Sequence, residues 1–558
     1  MLICGVKVSH DGGVAVIDGN KLIFSIEVEK LANGRRYSAL GDLDRIGEIL
    51  RSEGIEPADV DQFVVDGWWA EGDGDGSQIP TATGGQPMQL PVAPYVEGVR
   101  SRDPLHRHEF TAFDFGGRRP GYVSYHHASN HLIGAYSSSP FPARGEDALV
   151  VVWDGAMVPR AYHVAAAERQ VRSLGPLFPL VGNIFADFCA NFEPYYRDRT
   201  QMTVAEYRDY HLSIAGKAMA YAALGTVEEA AFSVFDDLLR GSRQISRETA
   251  FDLGNNVTEH RSALLPGLSD ADIIATFQAF LGNTLVTRLT ALAQKVFPGI
   301  QVNLAIGGGC ALNIKWNSAL RKSGAFREVW IPPFPNDSGA AIGTAACEMF
   351  RERGQTALDW SVYSGPRLRS SEVPSGWLAR QCDERELAWI LHHEGVPVTV
   401  LSGRAELGPR ALGNRSILAP ATDPAMKDHL NLIKGRASYR PVAPICLATS
   451  SAQIFEPGGN DPYMIFDHQV RSEWLARVPA IVHLDRTARL QTIEPSSNTA
   501  AARILLEYEK ISGIPLLCNT SANHNGHGFF PDVASAASWG GTRHIWSDGM
   551  LYVNKQGA

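Results

Sequence analysis

LICGVKVSHDGGVAVIDGNKLIFSIEVE (residues 2–29) decides the fold, because it holds three apolar runs separated by two turn sequences. Apolar runs of this length predict strands, and His-Asp-Gly-Gly and Asp-Gly-Asn are combinations typical of tight turns. DALVVVWDGAMVPRAYHVAAAE (residues 147–168) repeats the order of strand, Asp-Gly turn and strand. Both stretches could be ordinary hairpins, but the repetition favours a duplicated α/β domain.

Such a duplication resembles the actin/hexokinase fold, in which two similar halves enclose a cleft. Each Asp-Gly turn would then face the cleft, where small residues allow the phosphates of a nucleotide to approach the backbone. His10 and Asp11 lie in the first turn, and Asp154 lies in the second. We therefore expect these three side chains to line one cleft.

The composition is that of a large globular protein. Its 558 residues, of which 44% are hydrophobic, suffice for two or three domains. The net charge of −9 and the lack of long Lys/Arg blocks argue against nucleic-acid binding. No stretch approaches the ~20 apolar residues of a membrane span, and the N-terminus lacks a signal-peptide pattern, so we expect a cytoplasmic protein without a membrane partner. The seven cysteines are spaced singly, as reduced core thiols are.

VSYHHASNHLIGAYSSSPF (residues 123–141) places His127 and His131 four residues apart in an apolar helical pattern. This spacing puts both imidazoles on one helix face, where they can bind one metal ion. Asp154 and Asp337 each follow an apolar strand, where cleft residues of α/β folds collect. Two histidines and two carboxylates suit Fe²⁺, Zn²⁺ or Mn²⁺. Hydrogen-bonded core histidines and a plain helix cap at Asp337 are the competing structural interpretations.

QVNLAIGGGCALN (residues 301–313) predicts a buried strand that opens onto a glycine-rich turn and then a helix. Gly308 and Gly309 at this junction would allow a phosphate or ribose to approach the helix N-terminus. Many such turns are simply tight connections between a strand and a helix. A long helical pattern from Asp270 to Phe297 precedes this strand.

These motifs, taken together, resemble the O-carbamoyltransferase family, whose members carbamoylate antibiotics and nodulation factors. The N-terminal motifs that carry the resemblance are HHASNH (126–131), WDG (153–155), AGKAMAYAALG (215–225), LAIGGGCALN (304–313) and PPFPNDSGAAIG (332–343). The C-terminal motifs are GRAELGPRALGNRSILAPA (403–421), NLIKGRASYRPVAPICL (431–447), PYMIF (462–466), VHLDRTARLQTI (482–493) and GIPLLCNTSAN (513–523). The resemblance covers nearly the whole chain.

The resemblance implies two domains and two half-reactions. Residues 1–355 would form the actin/hexokinase-like carbamoyl-transfer domain, with an insertion at about 68–120, and residues 376–558 a YrdC-like domain that forms carbamoyladenylate. Carbamoyl phosphate and ATP, with Mg²⁺, would give the adenylate and pyrophosphate. The carbamoyl group would then pass to a hydroxyl of a small natural product, with antibiotic biosynthesis as the expected setting. An acidic run at 71–76 could meet a cationic acceptor.

The resemblance also implies roles for individual residues. The metal held by His127, His131, Asp154 and Asp337 would bind the adenylate, and His10 or Asp11 would deprotonate the acceptor. The expected nucleotide contacts are Arg35, Lys217, Gly308, Gly309 and Asn313. The expected carbamoyl phosphate contacts are Arg410, Lys434, Arg440, Arg489, Asn519, Thr520 and Ser521.

Three departures from the family pattern affect these expectations. EVEKLANGRRYS (residues 27–38) lacks the usual lysine, so that its phosphate contact falls to Arg35 or Arg36. GAMVPR (residues 155–160) makes the turn after Asp154 more apolar than usual. NTSANHNGHGFFPD (residues 519–532) introduces two histidines near the carbamoyl phosphate contacts.

Two other classes of function stay open at the level of sequence. A sugar or small-molecule kinase with this fold would phosphorylate an alcohol directly from ATP. A nucleotide-binding regulator would need no catalytic groups. Neither class requires the histidine pair together with the arginine-rich C-terminal third. The acceptor, the oligomeric state and the native metal are not decided by the sequence.

Overall fold

The computed structural model describes residues 1–69, 77–98, 102–111, 113, 115, 121–241 and 247–555. The acidic run at 71–76 lies outside the described residues. Of the insertion expected at about 68–120, residues 77–92 form a hairpin of two strands around a Gly84-Gly85 turn.

The described residues of the first half of the N-terminal part form eight strands and two helices. Its strands are β1 (Leu2–Lys7), β2 (Gly13–Asp18), β3 (Lys21–Glu27), β4 (Gln62–Asp66), β5 (Ser77–Thr83), β6 (Gln86–Val92), β7 (His108–Phe110) and β8 (Tyr122–Tyr125). Its helices are α1 (Asp44–Ser52) and α2 (His127–Ser137).

The second half begins with a strand hairpin, continues through a helical insertion and returns to the sheet. Its strands are β9 (Ala148–Val152), β10 (Arg160–Ala165), β11 (Gln170–Pro176), β12 (Asn303–Gly307) and β13 (Val329–Trp330). Its helices are α3 (Ile184–Cys189), α4 (Val204–Leu212), α5 (Ile214–Tyr221), α6 (Phe232–Gly241), α7 (Arg247–Glu259), α8 (Arg261–Leu264), α9 (Asp270–Val296), α10 (Ile314–Lys322) and α11 (Ala340–Arg353).

The two halves share one sheet topology. The first sheet has the order β3-β2-β1-β4-β8-β7, and the second has the order β11-β10-β9-β12-β13. In both sheets the first three strands of the half form an antiparallel meander. Two further strands extend each sheet in parallel, β4 and β8 from β1 in the first sheet and β12 and β13 from β9 in the second. The repeated order confirms the predicted duplicated actin/hexokinase-like fold.

The helices α2 and α11 lie between the two sheets and cross in close contact. Each follows the last parallel strand of its own half, but α2 packs on β9 and β12, while α11 packs on β1, β2 and β4. The crossing depends on glycine, because a Cβ on Gly343 would lie 2.1 Å from the Asn130 carbonyl oxygen, and a Cβ on Gly134 would lie 3.3 Å from the Gly343 Cα. This arrangement brings the N-terminal ends of the two helices to the cleft.

The C-terminal part forms an eight-stranded mixed sheet with the order β14-β24-β23-β15-β16-β22-β17-β21 and a smaller sheet of β18, β19 and β20. Its strands are β14 (Trp377–Gln381), β15 (Val398–Leu401), β16 (Arg415–Ala419), β17 (Ala443–Leu447), β18 (Phe455–Glu456), β19 (His468–Val470), β20 (Thr487–Ala488), β21 (Gln491–Ile493), β22 (Leu516–Ser521), β23 (His544–Ser547) and β24 (Met550–Asn554). Its helices are α12 (Glu384–Glu394), α13 (Ala425–Ile433), α14 (Ser451–Ile454), α15 (Ala500–Ser512) and α16 (Val533–Trp539).

The N-terminal and C-terminal parts are joined by buried polar contacts. Lys30 donates to Glu27 Oε1 at 2.6 Å and to the carbonyls of Glu406 and Gly408 at 2.8 and 2.7 Å. Lys315, on α10, pairs with Asp467 across the same boundary at 2.8 Å. A buried charge is retained only where its partners are held in place, so these contacts fix the two parts relative to each other.

Among the described helices, none combines the length and the apolar character that crossing a bilayer requires.

The glycine contact between α2 and α11 generates a stability prediction. Gly343→Ala should lower the free energy of unfolding by roughly 1–3 kcal/mol, because the added methyl collides with the backbone of α2. Gly47→Ala in α1 is the matched control, since a Cβ there meets only flexible side-chain atoms of Arg51 and the ring of Pro57 at 3.3 Å or more. Urea unfolding of both variants tests this. Equal stability of the two variants would contradict the proposed role of the contact.

Candidate functional site

The first centre contains the four residues that the sequence predicts as metal ligands. His127 and His131 lie on the first two turns of α2, Asp154 follows β9, and Asp337 lies in the turn before α11. The two histidine Nε2 atoms are 3.2 Å apart, and Asp337 Oδ1 lies 3.4 and 3.3 Å from them. All four residues are buried, and one ligand atom from each lies within 4.8 Å of the others. The structure thus brings the predicted quartet together.

A buried second layer orients this quartet. The Nδ1 atom of His127 lies 2.7 Å from Asp66 Oδ2 and donates to it, which directs the Nε2 lone pair towards the centre. Asn130 donates to the other oxygen of Asp66 at 2.6 Å. The Lys7 ammonium lies between two carboxylates, at 2.8 Å from Asp66 and 2.9 Å from Asp337.

The charge balance of the centre fits a divalent cation. Asp66, Asp154 and Asp337 contribute three carboxylates, whereas Lys7 is the one ammonium that the described residues place among them. Burial alone would raise the pKa of Asp66, but the positive charges at His127 and Lys7 lower it to about 2. Burial would lower the pKa of His127, but the negative charges of Asp66 and Asp337 hold it well above its usual value. The site therefore attracts positive charge, and its donor set of imidazole and carboxylate matches Fe²⁺, Zn²⁺ or Mn²⁺.

Asp154 is held by the glycine-rich turn after β12. The Gly309 amide donates to its Oδ1 atom at 2.7 Å, and the Tyr95 hydroxyl donates to Oδ2 at 2.7 Å. Gly308 adopts a φ of +90°, and a Cβ there would lie 2.4 Å from the Trp153 carbonyl oxygen. Asn313 caps α10 by accepting from the Lys315 amide at 3.1 Å. The predicted nucleotide-binding turn thus touches the predicted metal ligands directly.

His10 and Asp11 reach the same centre from the turn between β1 and β2. His10 Nδ1 lies 3.0 Å from Asp11 Oδ2 and 3.5 Å from Asp337 Oδ2. Burial would lower the pKa of His10, but the charge of Asp337 and the hydrogen bond to Asp11 raise it. The side chain of His10 is 36% exposed, so that it lies at the mouth of the centre rather than within it.

Aromatic rings form one wall of this mouth. Trp69, whose side chain is 43% exposed, stacks on Tyr95 with ring centroids 4.3 Å apart. Tyr95 in turn lies 4.3 Å from the ring of His127. Trp68 contacts the ring of His10 edge-on at 5.6 Å. The mouth therefore presents both an aromatic surface and a titratable histidine.

The second centre is a group of partly buried cations, of which four come from the C-terminal part and one, Arg36, comes from the N-terminal part. It consists of Arg36, Arg410, Arg436, Arg440 and Arg489, and within the described residues no carboxylate lies at ion-pair distance from any of them. Burial and mutual repulsion lower the pKa of Arg410 to about 10 and that of Arg436 to about 9. The buried Nε atoms of Arg36, Arg410 and Arg489 have no hydrogen-bond partner within this part of the structure.

Neutral polar groups at the end of β22 line the arginine group. Arg436 donates to Thr520 Oγ1 at 3.0 Å. Asn519 donates to Gln491 Oε1 at 2.7 Å, while its own Oδ1 atom is buried without a partner among the described residues. Ser521 donates to Asn523 Oδ1 at 2.7 Å. Of the predicted neutral contacts, Thr520 thus touches an arginine of the group, and Asn519 and Ser521 flank it on β22.

Three of the predicted ligand contacts lie outside the arginine group and have surroundings of their own. They are Lys434, Arg35 and Lys217. The Lys434 ammonium donates to the Ser521 carbonyl at 2.7 Å and to both oxygens of Asn523, which uses all three of its N–H groups within the protein. The Arg35 side chain is exposed, whereas its neighbour Arg36 joins the arginine group. Lys217 on α5 is half-buried, and burial together with the charge of Arg440 lowers its pKa.

A cavity lies between the two parts of the chain. It is a small cleft that is partly open to solvent. One wall comes from α5 and the start of α10, where Asn313 and the glycine-rich turn are adjacent, and the other comes from the arginine group. The lining residues are Gly216, Met219, Ala220, Ile314, Lys315, Arg436, Arg440, Pro441, His483, Thr487 and Arg489.

The chain matches two family models over most of its length. The model described as carbamoyltransferase N-terminus matches residues 2–112 and 116–347, and the model described as carbamoyltransferase C-terminus matches residues 390–545.

Curated relatives match nearly the whole chain. Nodulation protein U of Sinorhizobium fredii is 45% identical over 574 residues, which cover 99% of both chains. Nodulation protein U of Rhizobium tropici is 45% identical and covers 100% of this chain and 96% of its own. The 3'-hydroxymethylcephem-O-carbamoyltransferase of Streptomyces clavuligerus is 31% identical and covers 97% of this chain and 96% of its own.

Solved structures are more distant. The activator of the 2-hydroxyisocaproyl-CoA dehydratase from Clostridium difficile, with bound ADPNP, is 16% identical, covers 65% of this chain and 100% of its own, and has a TM-score of 0.33.

Several residues of the site were not predicted from the sequence. Lys7 and Asp66 had a usable signal, because a charged residue within or at the end of an apolar strand needs a buried partner. Tyr95 follows the predicted insertion and had no comparable signal. Arg36 was one of two adjacent arginines that the sequence could not distinguish.

The second layer predicts how metal binding responds to mutation. Asp66→Asn should weaken metal affinity by about 10–100-fold, because the amide no longer holds the His127 Nδ1 proton by a charge-assisted bond. Metal content after dialysis against a chelator, measured by plasma mass spectrometry, tests this. Asp59→Asn is the control, since Asp59 is an exposed carboxylate before the same strand. Retention of metal by Asp66→Asn at the level of the control would argue against the second-layer role.

Proposed function

The chain belongs to the carbamoyltransferase family, and from that premise we propose that it is an ATP-dependent O-carbamoyltransferase with two active centres. In the C-terminal centre, water and carbamoyl phosphate give carbamate and phosphate, and a carbamate oxygen then displaces pyrophosphate from the α-phosphorus of ATP. In the N-terminal centre, the acceptor oxygen attacks the carbamoyl carbon of carbamoyladenylate, AMP leaves, and the hydroxyl proton is released.

The observation that carries the proposal is the uncompensated arginine group. Five partly buried guanidinium groups lie near one another, and no carboxylate among the described residues lies at ion-pair distance from them. Such a group is costly unless an anion of high charge binds there. Carbamoyl phosphate and ATP are both polyanions, and planar guanidinium groups suit bidentate contacts to phosphate oxygens.

The two centres differ in charge, which supports a division of labour. The arginine group can neutralise phosphates, but no described carboxylate lies at ion-pair distance from it to accept the acceptor's proton. The first centre has excess negative charge and a partly exposed histidine, and none of the described arginines lies in it. A carbamoyladenylate formed among the arginines would pass through the cavity that Lys315 and Arg440 line.

In the second half-reaction, the residues of the first centre position the adenylate and handle the proton. A divalent ion held by His127, His131, Asp154 and Asp337 would supply Lewis-acid polarisation of the carbamoyl group, with Fe²⁺ as our proposed native metal. The Gly308–Gly309 backbone lets the nucleotide approach the same residues. His10, oriented by Asp11 at 3.0 Å, accepts the proton of the acceptor hydroxyl at the mouth.

The acceptor is proposed to be a hydroxyl of a small natural product. One relative's name specifies a hydroxymethyl group of a cephem, whereas the more similar relatives are named for nodulation. The exposed face of Trp69 offers an apolar surface for a ring next to the centre. The kinase alternative is set aside, because a direct phosphoryl transfer gives no role to a second, arginine-lined centre.

The two-centre proposal is tested by separating the half-reactions. Purified protein with ATP, Mg²⁺ and carbamoyl phosphate should release pyrophosphate and accumulate carbamoyladenylate, which mass spectrometry detects. Arg489→Met should reduce pyrophosphate release by about 100-fold or more, since the loss of a buried charge-assisted contact costs several kcal/mol. His127→Ala should retain it while losing transfer to any accepted alcohol. Arg543→Met replaces an exposed arginine of the same part of the chain and serves as the control.

Equal loss of pyrophosphate release in His127→Ala and Arg489→Met would contradict the separation of the centres. Formation of ADP without carbamoyl phosphate would favour the kinase instead.

The adjacent arginines give a second prediction. Arg36→Met should raise the KM for carbamoyl phosphate or ATP by roughly tenfold, because its guanidinium lies with Arg410 and Arg436. Arg35→Met should raise it much less, since that side chain points to solvent. Steady-state pyrophosphate assays on both variants separate the alternatives that the sequence left open. The reverse order of effects would assign the phosphate contact to Arg35.

A further inference from the structure

Two loops that are far apart in the sequence pair with each other beside the arginine group. The first, residues 33–36, lies between β3 and α1 in the N-terminal part, and the second, residues 523–528, follows β22 in the C-terminal part. The Arg36 amide donates to the Gly526 carbonyl at 2.9 Å, and the Gly528 amide donates to the Gly34 carbonyl at 2.8 Å. The pairing is antiparallel, with Arg35 opposite His527.

His527 adds a side-chain bond to this backbone pairing. Its Nδ1 atom lies 2.8 Å from the Asn33 carbonyl oxygen, so the imidazole must carry its proton on Nδ1 and donate it. The Asn33 carbonyl is thereby held next to Gly34 and Arg36, the two residues that make the backbone bonds to the C-terminal loop. Three hydrogen bonds in succession fix the backbone from which the Arg36 side chain extends.

The C-terminal loop is itself anchored at its base. Asn523 donates to the His527 carbonyl, and the Lys434 ammonium binds both oxygens of Asn523. Asn525 donates to the Gly435 carbonyl at 3.1 Å. Lys434 and Gly435 directly precede Arg436 of the arginine group. The loop therefore connects the backbone of Arg436 to that of Arg36 through a continuous set of hydrogen bonds.

Close packing leaves little freedom at this junction. A Cβ on Gly528 would lie 2.1 Å from the Glu29 carbonyl oxygen, so that the end of the C-terminal loop packs directly on the N-terminal part. The buried Nε atom of Arg36 has no hydrogen-bond partner in the part of the chain that the structure describes. A loop held this tightly, carrying a partly buried guanidinium whose Nε has no partner among the described residues, is built to present that group to a ligand.

We propose that residues 523–528 form a clasp that positions Arg36 of the N-terminal part in the anion pocket of the C-terminal part, with His527 as its positioning residue. The pocket is thus composite, and the N-terminal part contributes to the first half-reaction as well as to the second. This inference rests on the proposed function for the identity of the anion. It also gives a role to Lys434, whose ammonium stabilises the clasp rather than contacting the anion.

A double-mutant cycle on anion affinity tests the clasp in the full-length protein. Inorganic pyrophosphate is the probe, and calorimetric titration gives its Kd. Arg36→Met should raise the Kd by roughly tenfold, and His527→Ala should raise it by about three- to tenfold. The double variant should bind no more weakly than Arg36→Met alone, because His527 acts only through Arg36.

Two further variants separate positioning from a general structural effect. His527→Asn places an amide N–H near the position of Nδ1 and should restore the Kd to within about twofold of the unmodified protein. His524→Ala is the matched control, since His524 lies in the same loop and, among the described contacts, makes no hydrogen bond to residues 33–36. Effects of Arg36→Met and His527→Ala that multiply in the double variant would overturn the proposal, as would an unchanged Kd in His527→Ala.

Hydrogen exchange on the unmodified protein covers the case in which His527→Ala fails to fold. Pyrophosphate should slow amide exchange in residues 33–37 and 523–528 together, and protection of only one loop would overturn the clasp. The carbamoyl phosphate assay distinguishes this failure from that of the proposed function. If the effects of Arg36→Met and His527→Ala do not add but no adenylate forms, the clasp stands and the proposed reaction fails. If adenylate forms but the two effects multiply, the proposed reaction stands and the clasp fails.

Discussion

The close crossing of α2 and α11 at Gly134 and Gly343 is the contact on which the first centre depends. Each helix belongs to one half of the duplicated domain and packs on the sheet of the other half. Their N-terminal ends therefore meet in the cleft, where α2 supplies two histidines and the turn before α11 supplies Asp337. A wider separation of the helices would move these ligands apart, because their side chains are too short to span it. The duplication is thus a way of bringing donors from distant segments to one point.

Charge compensation organises the rest of the molecule. The first centre has more carboxylates than ammonium groups, and the second has guanidinium groups without described carboxylates. Leaving either imbalance buried costs free energy that ligand binding returns. The charged groups that join the two parts of the chain are satisfied within the protein, since Lys30 donates to the carbonyls of Glu406 and Gly408 and Lys315 pairs with Asp467. Charges with partners in the protein thus fix the two parts of the chain relative to each other, and charges without such partners are available to bind ligands.

Much of this architecture could be predicted from the sequence, because it follows from local patterns. The repeated strand and Asp-Gly turn predicted the duplication, and the spacing of His127 and His131 predicted that their rings would meet. The second layer could not be placed, since Asp66 and Lys7 acquire their meaning only when β1 and β4 pair in parallel. The choice between Arg35 and Arg36 was equally inaccessible, because it depends on which way a loop is turned by partners about 490 residues away.

That long-range dependence links two of the departures from the family pattern. The histidines that replace the usual sequence after Asn519 lie in the loop that binds residues 33–36, and Arg36, which we propose in place of the usual lysine, lies in the segment they bind. The two departures are therefore in contact with each other. A guanidinium is longer and more directional than an ammonium, so it requires a more closely fixed backbone to aim its planar fork at a phosphate. We infer that the bond from His527 to Asn33 supplies that constraint. The altered loop would then hold the backbone of the segment that carries the altered cation.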